Sequence, residues 1–149
     1  MVLLPRRCIL AIAAVVDIAI HARPSPVAAK ALADRHDLPP RHLETLLQSL
    51  VRSNILKGVR GPKGGYELAR ERRKITVGEI VRAALADTPE DERADIKSPL
   101  AAHVVAPLIE QASGELLSAL DQATVEQLCR SADEAGVFKP KTDTADFAI

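Results

Sequence analysis

Aromatic residues are nearly absent: two Phe, one Tyr and no Trp, 2% of 149 residues. Single-stranded nucleic acid is bound on aromatic stacking platforms, so this scarcity argues against that mode. The core must be built from Ala, Val, Leu and Ile, which favours closely packed helices. A hydrophobic fraction of 47% supplies enough of them for one domain, or one domain with an appendage. Cysteine is scarce too. Cys8 and Cys129 stand far apart with no CxxC pair, so no disulfide framework is expected, and a reducing cytoplasm is the expected compartment. A long apolar run is missing as well. The stretch 9–20 follows Arg6-Arg7 and superficially resembles a signal peptide, but it is too short to span a bilayer and Asp17 interrupts it. It reads as a buried first helix, and no membrane partner is expected. Catalytic signatures are lacking: no P-loop, no HExxH, no GxSxG and no Cys–His pair at a plausible spacing. His21, His36, His42 and His103 do not pair at metal-ligand spacing, so neither an enzyme nor a metal site is expected.

Net charge is zero, yet the charge is divided. Residues 1–82 hold 15 Lys or Arg against 7 Asp or Glu, and residues 83–149 hold 5 against 13. A net of +8 followed by −8 fits a polyanion-binding front and a different back half. The front contains Arg60-Gly-Pro-Lys-Gly-Gly-Tyr66, set between the short β-like stretches 55–59 and 66–68. Such an arrangement predicts a β-hairpin whose narrow tip carries Arg60 and Lys63, suited to a DNA groove or a row of phosphates.

Three helices are expected before it. The first covers residues 4–21 and is apolar almost all round. The second runs from Pro26 to His36, with Ser25 as N-cap and Val27, Ala28, Ala31 and Leu32 inward. The third runs from Pro39 or Pro40 to Ser53, with Leu43, Leu46, Leu47, Leu50 and Val51 on one face. Its other face shows Arg41, His42, Glu44, Thr45, Gln48 and Arg52. Two short helices across a turn, then a basic hairpin, make a winged helix-turn-helix, whose second helix enters the major groove. There Arg41 can donate to guanine, Glu44 can accept from cytosine N4, and Gln48 can pair with adenine. Arg6, Arg7, Lys30 and Arg52 are the expected phosphate contacts, and double-stranded DNA is the expected partner.

The runs Pro39-Pro-Arg-His-Leu-Glu44, Leu47-Gln-Ser-Leu-Val-Arg52, Val59-Arg-Gly-Pro-Lys-Gly-Gly-Tyr66 and Ile75-Thr-Val-Gly-Glu-Ile80 resemble the Rrf2 family of bacterial winged-helix regulators. The resemblance covers the first helix to about residue 86 and weakens towards Leu128. It implies a homodimer on a roughly palindromic operator. It puts Arg41, His42, Glu44 and Thr45 on the base-reading segment, Arg60 and Lys63 on a minor-groove wing, and Arg7 near phosphate. Gly61, Gly64 and Gly65 shape that wing. Cluster-binding members place three cysteines in the linker after residue 86. This chain has none there, and only His103 lies near the last of them, so an iron–sulfur cluster is not expected.

Thr76-Val-Gly-Glu79 is a capping box that opens a helix to about residue 86, with Val77, Ile80, Val81 and Ala84 inward. The acidic stretch 87–97 reads as a linker. Residues 98–136 read as dimerisation helices. Leu100, Val104, Leu108, Ala112, Leu116 and Leu120 form the expected dimer stripe, with Pro107 kinking or restarting the helix. Thr124 caps a last helix that Gly136 ends, and the tail 137–149 should be loose. The expected fold is mainly α with a small β-hairpin: a winged helix-turn-helix domain over 1–86 plus a long C-terminal dimerisation helix. The expected function is a sequence-specific regulator, acting as a repressor. Its signal is left among three options: oxidation of Cys8 beside Arg6 and Arg7, a small ligand, or a partner protein. The alternative is a winged protein-interaction module that does not bind DNA specifically.

Overall fold

The computed structural model describes residues 4–86 and 96–138. Helix α1 (Arg6–His21) is the axis of the fold. Cys8, Ala11, Ala14, Val15 and Ile18 are almost wholly buried along it, because α3, α4, α6 and the hairpin all pack on this helix. Small residues let those neighbours come close. The enclosure expected for α1 is present, with Ile9 left 45% exposed.

Helices α2 (Ala29–His36) and α3 (Pro40–Arg52) form the helix-turn-helix. Asp37 ends α2 in the left-handed region, φ 50°, and sends the chain across to α3. An Asp tolerates that conformation better than a branched residue does. Helix α3 buries Leu43, Leu46, Leu47 and Leu50, as its period predicts, but Val51 is 37% exposed. The stripe runs out at the helix end, where Ser49 takes the buried place instead.

Helix α2 starts later than its sequence suggests. Its N-cap is Ala28, not Ser25, and Ala28 is exposed while Ala33 is buried. The reason is a competing hydrogen-bond partner. Val27 donates to the Tyr66 carbonyl at 2.9 Å and accepts from the Tyr66 N–H at 2.8 Å. Residue 27 thus forms an isolated β-bridge to the hairpin and cannot be helical.

The hairpin pairs β1 (Leu56–Val59) with β2 (Gly65–Leu68), antiparallel, with Leu56 opposite Leu68 and Val59 opposite Gly65. A 3₁₀ turn, Arg72–Lys74, leads to α4 (Val77–Ala86). The capping box is present: Thr76 N–H donates to Glu79 Oε2 at 2.9 Å and Glu79 N–H donates to Thr76 Oγ1 at 3.2 Å. Val77, Ile80, Val81 and Ala84 are buried as expected.

Residues 87–95 of the expected linker and 139–149 of the expected tail lie outside the described residues. The helix that resumes at residue 99 widens into a π-helical stretch, Ala101–Val105, before α5 (Ala106–Asp121). Ala106 N–H donates to the Ala101 carbonyl, five residues back. Pro107 explains the widening: its ring would strike the carbonyl four residues back in a regular α-helix, and it has no N–H to offer. The restart expected there takes the form of a π-bulge.

The expected unit 98–136 divides in its packing. Leu100, Val104 and Leu108 are 66%, 61% and 62% exposed, and Ala112 is exposed. Leu116 is half-buried, while Leu120 and its neighbour Leu117 pack on the chain's own core. Helix α6 (Val125–Ala135) also belongs to that core through Val125 and Cys129. Its start is stitched to the start of α4: Val77 N–H donates to the Ala123 carbonyl and Val125 N–H to the Ile75 carbonyl, both at 2.9 Å. Thr124 forms its capping box and Gly136, φ 65°, its left-handed end.

Candidate nucleic-acid interface

Helix α3 turns its apolar stripe to the core, so its polar residues are forced outward. Arg41, His42, Glu44, Thr45, Gln48 and Arg52 are all exposed. Thr45 donates its hydroxyl to the Arg41 carbonyl at 3.3 Å, and Arg52 reaches Ser49 Oγ at 3.3 Å. Arg6 and Arg7 from α1 meet His42 and Thr45 from α3 around one concavity of roughly 560 Å³, floored by Leu10, Leu43 and Leu46. Two elements far apart in sequence therefore present cations and helix-start polar groups on one face.

The wing tip is shaped by glycine where the backbone demands it. Gly61 has φ 117°, and its carbonyl accepts from Gly64 N–H at 2.9 Å. A Cβ at Gly64 would strike the Val59 carbonyl, and one at Gly65 would strike the Val27 carbonyl. Arg60, Gly61 and Lys63 are exposed at the tip, whereas Gly64 and Gly65 are half-buried. The last two shape the loop from within. Lys30 is exposed on α2, beside Ala28 and Ala29, which share a shallow cleft with Arg60. Lys57 and Glu67, opposite each other in the hairpin, pair at 3.0 Å.

Sequence reasoning missed the group that ties α2 to α1. Asp17 is fully buried. Arg35 donates to it twice, through Nη2 at 2.6 Å and Nε at 2.8 Å. His36 Nε2 donates at 2.8 Å and His21 Nδ1 at 3.1 Å. Burial pushes the Asp17 carboxyl up, but the Arg35 fork and charge, the His36 bond and the His21 charge outweigh it. The net position is below the ordinary carboxylate range. The same fork holds Arg35 above its ordinary value. An ionised Asp17 can only accept, so each imidazole must carry its proton on the nitrogen facing it. The cluster grips the last turn of α2, directly before the turn into α3. The i, i+4 spacing of Asp17 and His21 was a readable signal; the α2 partners were not.

Cys8 bears on the first of the three signal options. It is fully buried, and burial pushes its thiol up while the Arg7 charge opposes only in part. The neighbouring arginines do not make it an acidic thiol, because desolvation of a thiolate wins. Cys129 is also buried and also pushed up by burial, with Arg72 opposing. Among the described residues no helix is long and apolar enough to cross a membrane.

A helix-turn-helix followed by a two-stranded wing bridged to the start of α2 defines a winged helix-turn-helix protein. The Rrf2 family model, described as an iron-dependent transcriptional regulator, matches residues 4–131. The chain belongs to the Rrf2 family. It is 37% identical over 73 residues to a putative HTH-type transcriptional regulator ORF2 of Azotobacter vinelandii, covering 49% of this chain and 44% of that one. It is 36% identical over 73 residues to the HTH-type transcriptional regulator IscR of Vibrio atlanticus, covering 49% and 42%. The chain thus spans about half the length of the curated relatives it matches. Among solved structures, T. potens IscR superposes with a TM-score of 0.69 at 30% identity, covering 89% of each chain. CymR of B. subtilis, titled the global cysteine regulator, shares the fold with a TM-score of 0.63 at 24% identity, covering 88% of this chain and 98% of that one.

The iron in the family description does not find a matching donor set in this chain. Its two cysteines are buried on different helices, α1 and α6, and the stretch 87–97 contains none. His103 is exposed in the π-helical stretch. Among the described residues no three His, Cys, Asp or Glu side chains come together as metal ligands would. A thiolate-held cluster does not fit these residues.

Proposed function

We propose that this chain is a sequence-specific DNA-binding transcription regulator, a repressor that acts as a homodimer without an iron–sulfur cluster and without catalysis of its own. The observation that carries this reading is the shared face of Arg6, Arg7, His42 and Thr45, continued along α3 by Arg41, Glu44 and Gln48. Exposed donors and acceptors of both kinds on one helix suit base edges in the major groove. Arg60 and Lys63 on a slim wing suit the minor groove and its phosphates. The exposed Leu100, Val104 and Leu108 stripe supports pairing of two chains, which would set two α3 helices roughly one turn of DNA apart.

The test is fluorescence anisotropy with the chain's own upstream intergenic DNA and a scrambled control, each at two salt concentrations. Preference for the native sequence, falling steeply with salt, supports the reading. Equal and weak binding to both DNAs at both salts would overturn it in favour of a winged protein-interaction module.

A further inference from the structure

We propose that a cavity between the end of α1, the 3₁₀ turn and α6 binds a small zwitterion, a free amino acid with a neutral apolar side chain. The proposal rests on the reading above only for its regulatory consequence. The cavity holds roughly 400 Å³. A second recess of roughly 610 Å³ towards the wing base shares Ile20, Arg72 and Glu126 with it. The first cavity shares no residue with the α3 concavity or the wing-tip cleft.

Its charges are arranged as opposites. Glu126, Cys129, Arg130 and Asp133 stand at i, i+3, i+4 and i+7 on α6, hence on one side of the helix, and all four line the cavity. Arg130 pairs with Glu126 at 3.4 Å. That leaves Arg72 and Asp133. Arg72 comes from the 3₁₀ turn, and its charge lies near enough to Cys129 to oppose the upward push of burial on that thiol. Asp133 lies one helical turn beyond Cys129, and no ion pair is found for it among the described residues. No ion pair is found for Arg72 among the described residues either. One cation and one anion thus line the same cavity beside a buried thiol. Opposite charges on one cavity wall suit the carboxylate and ammonium of an amino acid, carboxylate on Arg72 and ammonium on Asp133. Ile20, Ala132 and Phe138 supply apolar wall for a short side chain.

The wall also touches the helix-turn-helix clamp. Phe138 meets the His21 ring edge-on, centroids 4.7 Å apart at 88°, and His21 bonds Asp17. An occupant that moves Phe138 therefore acts on the cluster that holds the end of α2.

Isothermal titration calorimetry of the full chain with L-methionine or L-valine, without DNA, is the direct test. A saturable isotherm with one site per chain is expected. N-acetyl-L-methionine and L-methionine methyl ester, each lacking one charge, should bind at least ~10-fold more weakly, the loss of one charged hydrogen-bonded contact. Arg72→Gln and Asp133→Asn should each abolish saturation while keeping the parent's circular dichroism, since both side chains are exposed. No heat with either amino acid, or equal binding of the capped forms, would overturn the proposal. So would saturation retained in Arg72→Gln. Failure of the anisotropy test would leave this isotherm intact, so the two readings fail separately. Saturable binding that leaves DNA affinity unchanged would overturn the link to α2.

Discussion

Replacing Asp17 by Asn removes one charge from a place that water does not reach. Arg35, His36 and His21 keep their positions, and their side chains are 33%, 19% and 31% exposed. Removing one partner from a buried ion cluster commonly costs ~3–5 kcal/mol. Arg35 can recover part of its hydration here, so the lower end applies, about 3 kcal/mol. For a domain of this size that lowers Tm by roughly 10 °C. Thermal melts followed by circular dichroism at pH 7 measure it. The pH limb gives an independent check. The folded Asp17 pKa lies below its ordinary value, so its contribution is complete above about pH 4–5 and is lost as pH falls through the folded value. Tm of the parent should therefore fall more steeply than that of Asp17→Asn below about pH 4. Because the cluster holds the last turn of α2, DNA affinity should also drop at temperatures where the variant remains folded. A variant that melts within about 2 °C of the parent, with the same acid limb, would refute this account of the clamp.

Gly65→Ala puts a Cβ against the Val27 carbonyl, so the bridge between the wing and the start of α2 must open; denaturant unfolding should show a loss above about 1 kcal/mol. Glu44→Ala should relax discrimination at one base pair by about 1–3 kcal/mol, measured with single-substitution operators, whereas Arg60→Ala should weaken all sequences alike. Leu108→Arg places a charge in the exposed α5 stripe and should convert a dimer to a monomer in sedimentation velocity, without lowering the helix content of the monomer.

Periodicity carried most of the helices. The α3 stripe, both capping boxes and the buried face of α4 follow from local spacing, and local spacing is what a sequence displays. The misses share a different cause, a partner distant in the chain. Val27 left the helix because Tyr66, 39 positions later, offers it two backbone hydrogen bonds. Leu120 reads as one more step of a dimer stripe, yet it packs on its own core because the end of α5 lies against α4. Cys8 reads as activated by Arg6 and Arg7, but neighbours in sequence do not set the dielectric around a thiol; the helices packed on α1 do. Asp17 is the sharpest case. In the sequence it is a flaw in an apolar run. In the fold it is the acceptor that Arg35 and His36, 18 and 19 residues away, both require. Burying a carboxylate is costly unless its charge is answered, so an Asp inside an otherwise enclosed helix already implies cations arriving from another element. Arg35 and His36, at the end of α2, are the cations that arrive, so the clamp answers α1's burial.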